Sequence, residues 1–193
     1  YSLNDAVALV ADLARQPGVV AIGETGLDYF RTAQAGKRAQ EESFRMHIEL
    51  AKELDLPLQI HDREAHADCI AILRECGAPE RTVFHCFSGS ADQARQLLDS
   101  GYYVSFTGVV TFKNAHTARE AAQAVPVDRL MIETDCPYMS PEPVRSQKPN
   151  EPALMLHTAR FLAELKGLSV DQLARQSTQA AVRFFGLPPA CGL

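Results

Sequence analysis

Apolar and polar positions follow two rhythms along this chain, and the rhythms take turns. Short apolar runs of strand length occur over residues 19–24, 57–61, 82–85, 102–106 and 130–135. Between them, apolar residues recur at the spacing of amphipathic helices. A first helix is predicted from an Asn4 cap to about Arg15, with Val7, Val10 and Leu13 at helical spacing, and Pro17-Gly18 ends it. Further helices are predicted over 37–54, with Phe44, Ile48 and Leu54 as inward candidates, and over 64–76. Ser90 with Gln93 forms a capping box for another, running to about Ser100 before Gly101 stops it. Residues 114–124 read as helical, and a proline-rich loop over 136–150 leads to two closing helices over 152–166 and 169–185. Ser169 and Gln172 make a second capping box.

Strand, crossover helix and strand in repetition predict an α/β fold, a parallel sheet with helices outside it. Polar residues at the strand ends fit a (β/α)₈ TIM barrel better than a dinucleotide-binding sheet, since no Gly-x-Gly-x-x-Gly follows a strand. A closed barrel needs eight strands and typically ~250 residues. With 193 residues and five predicted units, the expectation is one domain over residues 1–193 holding an incomplete barrel without its three N-terminal units.

Four of the runs end on a residue with a metal-ligating side chain: Glu24, His61, His85 and Asp135. A lone Glu or His at a strand end is ordinary. Four such residues at the same end of successive parallel strands point to a shared site, because that end is where α/β enzymes place their chemistry. Imidazole and carboxylate together suit Zn²⁺, Mn²⁺, Fe²⁺ or Ni²⁺, whereas Mg²⁺ prefers oxygen and water. The set suffices for one ion fully, or for two ions partly with a carboxylate between them. Such a pair activates water and stabilises both oxygens of a phosphoryl displacement.

Composition narrows the setting. Hydrophobic residues at 46% and charged residues at 22% are ordinary for a soluble protein. No apolar run is long enough to cross a membrane, no signal peptide opens the chain, and Tyr1 in place of Met suggests an internal cut. The net charge of −5 gives no general attraction for nucleic acid, so a polyanion would need local basic groups or bound cations. Five scattered cysteines without a Cys-x-x-Cys pair predict no disulfide framework and a reducing cytoplasm. Cys86 and Cys136 are expected to be small buried hydrophobes. His47, His66, His116 and His157 read as ordinary helix residues, Phe84, Phe87 and Phe106 as core, and Lys37-Arg38 as a charged helix start.

The motifs also resemble a family. Residues 21–29 (AIGETGLDY), 60–65 (IHDREA), 84–89 (FHCFSG) and 132–137 (IETDCP), followed by Asn150-Glu151-Pro152, are similar in content and order to the TatD-type metal-dependent deoxyribonucleases. The resemblance spans nearly the whole chain. It implies a TIM-barrel hydrolase in which Glu24 bridges two divalent ions (Mg, Mn or Zn), His61 and His85 bind one, and Asp135 binds the other and handles a proton. Catalytic roles fall on Glu24 and Asp135. The implied activity is cleavage of DNA phosphodiester bonds, as a 3′→5′ exonuclease on single strands.

Two departures stand out. The family's first strand carries a His-x-His pair that this chain lacks. The chain alone is therefore expected to hold one ion poorly, to expose two sheet edges, and to turn over weakly or not at all. In addition, the Arg-Gly-Lys run usual before Asn-x-Pro is replaced by residues 144–152 (VRSQKPNEP). Arg145 is the leading candidate for a phosphate contact, with Arg63 and Arg31 behind it. Asp28 and Glu133 are candidates for orienting the ligands. The competing readings are a metal-dependent hydrolase of a small ester, amide or lactone, and a non-catalytic remnant.

Overall fold

The computed structural model describes residues 2–188; Tyr1 and the stretch containing Cys191 lie outside the described residues. Five strands form one sheet in the order β1-β2-β3-β4-β5: β1 (Ile22–Asp28), β2 (Leu58–Arg63), β3 (Thr82–Phe84), β4 (Tyr103–Phe106) and β5 (Leu130–Ile132). The pairs β1/β2, β2/β3 and β4/β5 are parallel. Parallel neighbours need a crossover, and each gap holds one helix. These are α2 (Gln34–Glu53), α3 (His66–Cys76), α4 (Ala91–Asp99) and α5 (His116–Ala124). A first helix, α1 (Leu3–Ala14), precedes the sheet, and α6 (Met155–Lys166) and α7 (Val170–Phe185) follow it.

The described residues gather into two compact units, residues 2–84 with 184–187 and residues 85–183 with 188. In the first unit, α2 packs on β1 through Phe44, Ile48 and Ala51, and β2 contributes Leu58 and Ile60; all five are fully buried. Burying each large aliphatic or aromatic side chain contributes about 1.5–3 kcal/mol. In the second unit, every residue of β4 is buried, the continuous pattern of a parallel strand covered on both faces. Phe106 meets Phe87 edge-on at 6.2 Å. Phe84, Phe87 and Phe106 are all core residues, as expected.

Several boundaries differ from the sequence reading for local reasons. Ser2, not Asn4, caps α1, because its hydroxyl accepts from Asp5 N–H (3.2 Å) while the Asp5 carboxylate accepts from Ser2 N–H (3.0 Å). The inward face of α1 is Val7 and Ala14, and Leu13 is 56% exposed. Leu54 is the half-buried C-cap of α2 rather than a core position. The third helix starts at His66, two residues late, because Glu64 takes a left-handed backbone (φ 57°) before it. No helix among the described residues is long and apolar enough to cross a membrane.

Candidate metal centre

In the first unit the site is built on an irregularity in β1. Ile22 pairs with Leu58 and Thr25 with Ile60, so Gly23 and Glu24 together stand opposite Gln59 alone. The extra residue is a β-bulge, a device that re-aims a side chain. Gly23 permits it, since a Cβ there would lie 2.6 Å from that of Gln59. Glu24 Oε1 stands 2.8 Å from His61 Nδ1, and the other ring nitrogen, Nε2, is 3.3 Å from Asp28 Oδ2. His61 thus lies between two carboxylates.

Asp28 is itself held firmly. Its N–H donates to Gln40 Oε1 (2.8 Å), its carbonyl accepts from Gln40 Nε2 (2.9 Å), and its Oδ1 accepts from Phe30 N–H (2.9 Å). A cleft of about 410 Å³ opens beside these groups, lined by Glu24, Asp28 and His61 and, from α2, by Gln40, Ser43 and His47. The sequence reading missed this helical wall because helix positions carry no strand-end signal. His47, a residue of α2, also lines this cleft, and its Nδ1–H donates to the Ser43 carbonyl (2.8 Å) one turn earlier.

In the second unit His85 follows β3 directly and is buried. Its Nδ1 lies 3.4 Å from Glu133 Oε2, while Glu133 Oε1 accepts from Cys86 N–H (2.7 Å). Burial acts to raise the Glu133 pKa. Hydrogen bonds from His85, the Cys86 amide and Ser105 outweigh it and hold the carboxyl below its ordinary value. Asp135 lies three residues beyond β5 with a left-handed backbone (φ 53°). Asn150 braces the segment around it, donating from Nδ2 to the carbonyls of Thr134 (2.9 Å) and Tyr138 (2.5 Å). Tyr138 N–H in turn donates to the Asp135 carbonyl (3.0 Å).

The four candidate ligands do not sit at the strand ends that the sequence predicts. β1 runs four residues past Glu24 and β2 two past His61, because their backbones stay paired as far as Asp28 and Arg63. His85 and Asp135 lie beyond their strands. The cysteine expectation also changes. Cys136 is exposed in the loop, and Cys86 is half-buried with its Sγ 3.5 Å from both Thr107 Oγ1 and Met139 Sδ. The described cysteines are thiols. Among the arginines, Arg63 lies over the Phe30 ring at 3.8 Å and Arg31 at 4.7 Å from its centroid. Arg145 stacks on Phe112 at 3.9 Å, with Glu142 4.0 Å away. Lys37, in the first turn of α2, lies 4.0 Å from the centroid of the Tyr29 ring.

Comparison with known proteins places this geometry in a family. The model of the TatD related DNases matches residues 2–186, and the chain belongs to that family. It is 48% identical over 178 residues to the uncharacterized metal-dependent hydrolase YcfH of Escherichia coli K12, with 90% of this chain and 65% of that protein covered. A protein of Pantoea ananatis named 3′-5′ ssDNA/RNA exonuclease TatD is 39% identical, covering 91% of this chain and 69% of its own length. The crystal structure of YJJV, a TatD homologue from E. coli, superposes with a TM-score of 0.88 at 30% identity, covering 97% of this chain and 72% of that one. The chain thus spans about 65% of the length of YcfH.

Proposed function

We propose that this chain carries the metal-binding part of a hydrolase that cleaves DNA phosphodiester bonds, acting from the 3′ end of single strands. Glu24, His61, His85 and Asp135 are its ligands, with Glu24 between two ions and Asp135 accepting a proton from the attacking water. The observation that carries the reading is the two-sided hold on His61. With Nδ1 toward Glu24 and Nε2 toward Asp28, the ring offers one nitrogen to an ion while a carboxylate fixes the other, the usual partnership behind a ligating histidine. Ile60 and Phe84 are register partners on β2 and β3, and His61 and His85 are the residues that follow them in sequence. Glu24, His61 and His85 each offer a donor atom to a group able to hold a metal ion.

This donor set fits a divalent ion of the Mn²⁺ or Zn²⁺ kind, and Mg²⁺ at its carboxylates. Divalent ions there would supply Lewis acidity at the phosphoryl oxygen and lower the pKa of water. Glu133 keeps the His85 ring oriented through Nδ1. Arg145, Arg63 and Arg31 are the basic side chains assigned to phosphate, which a protein of net charge −5 must attract locally. The names of the Pantoea and YcfH relatives support a nuclease and a metal requirement respectively.

The test is Mn²⁺- or Mg²⁺-dependent degradation of a 5′-labelled single-stranded oligonucleotide, with Glu24→Ala alongside. The expected result is shortening from the 3′ end that stops in the variant. Hydrolysis of carboxylic esters or lactones with no DNA cleavage would overturn the reading in favour of a small-molecule hydrolase. Absence of metal binding would overturn it in favour of a non-catalytic role.

A further inference from the structure

Arg63 and Arg31 both lie on Phe30, and Phe30 is tied to the ligand sphere through one carboxylate. Asp28 Oδ2 faces His61 Nε2 (3.3 Å), while Asp28 Oδ1 accepts the Phe30 N–H (2.9 Å). The neighbouring Tyr29 N–H donates to the Arg63 carbonyl (2.9 Å), and Thr32 Oγ1 donates to the Asp28 carbonyl (2.8 Å). The loop after β1 is therefore fastened at both sides to the strands that carry Glu24 and His61. Arg63 stands two residues beyond His61 on β2, on the same face of the strand. Phe30 is half-buried, and both arginines are exposed. A phenyl ring with guanidinium carbons 3.8 and 4.7 Å from its centroid is a cation–π cluster. The exposed guanidinium planes of such a cluster can take a planar base while their N–H groups remain available to phosphate.

From this arrangement we infer that Phe30 with Arg63 and Arg31 is a base-stacking platform for single-stranded nucleic acid. It seats a nucleobase next to the phosphate presented to Glu24 and His61. The inference rests on the phosphodiester reading of the site and specifies how the strand is gripped. It assigns the stacking role to Phe30, the half-exposed ring, and not to Phe84, Phe87 or Phe106, which are buried in the core. Duplex DNA does not satisfy the platform, because its bases are already stacked on one another. An unstacked strand exposes the π-face that the ring and guanidinium accept.

The test is equilibrium binding in EDTA by fluorescence anisotropy, which needs no turnover. The probes are a labelled oligo(dT) strand and an abasic strand of equal length and charge. The native protein is expected to hold oligo(dT) at least roughly fivefold tighter than the abasic strand, the effect of one stacked base. Phe30→Ala should erase that preference and Phe30→Trp should retain it. Arg63→Gln should weaken both probes and make the dependence of log K on log salt shallower by roughly 0.7, one phosphate contact fewer. A native protein that does not distinguish the probes, or a Phe30→Ala variant that still does, overturns the platform, as does an unchanged salt slope in Arg63→Gln. A failure of the phosphodiester reading has a different signature: intact oligo(dT) after incubation with Mn²⁺, whatever the binding result.

Discussion

Gly26 and the carbonyl of His61 occupy adjoining space that admits no side chain between them. A Cβ on Gly26 would collide with that oxygen, and the backbone there has φ 136°, a region L-residues rarely enter. Gly26→Ala therefore adds backbone strain of about 1–3 kcal/mol to an overpacking cost of similar size. We expect the urea midpoint to fall by the equivalent of about 3 kcal/mol or more, with m unchanged. A variant within about 0.5 kcal/mol of the native protein would mean that β1 and β2 do not approach this closely in solution.

Asp28 holds His61 from the side opposite Glu24. Removing it leaves the imidazole without its orienting carboxylate, so Asp28→Ala should weaken Mn²⁺ binding about 10–100-fold. Isothermal titration against the native protein reads this directly. Unaltered affinity would mean that Asp28 serves the Phe30 loop alone.

Metal and stability are linked through the same groups. At a free Mn²⁺ concentration about a hundredfold above Kd, binding adds about 2.7 kcal/mol to the unfolding free energy. For a chain of this size that raises Tm by about 5–10 °C relative to EDTA. Differential scanning fluorimetry should show the rise in the native protein and its loss in Glu24→Ala. An equal rise in both would separate the stabilising site from Glu24.

Asn150 is buried, with its amide closing two carbonyls of the segment that carries Asp135. Asn150→Ala leaves both acceptors without that donor and should cost about 2–3 kcal/mol. Asn150→Asp should cost more, since a carboxylate would face two carbonyl oxygens. Chemical denaturation gives the cost, and faster hydrogen exchange at the Tyr138 amide localises it. Native exchange at Tyr138 in Asn150→Ala would refute the bracing role.

The sheet and its helices were legible because apolar periodicity is a local property. Phe44 and Ile48, one turn apart, announce the buried face of α2, and the Ser90–Gln93 box announces the start of α4. The residue types at the site were legible for the same reason, each following an apolar run. What escaped was everything set by pairing across the sheet. The bulge at Glu24 exists only because Gly23 and Gln59 meet, and β1 outruns its apolar stretch because β2 lies beside it as far as Arg63. Asp28 and Glu133 are legible as orienting candidates, but local signals do not show that Asp28 divides its two oxygens between His61 and Phe30, or that Asn150 spans back to Thr134.

Glu64, Cys86 and Asp135 are non-glycine residues with φ between 46° and 57°, each one to three residues past the end of a strand. Glycine at any of the three would relieve about 1 kcal/mol. A laboratory selection for heat resistance would therefore favour glycine at all three positions alike. At 64 it would remove an exposed carboxylate. At 135 it would remove the carboxylate proposed as a metal ligand and proton acceptor, so, on that proposal, hardier descendants would emerge with blunted chemistry unless activity were screened in the same round.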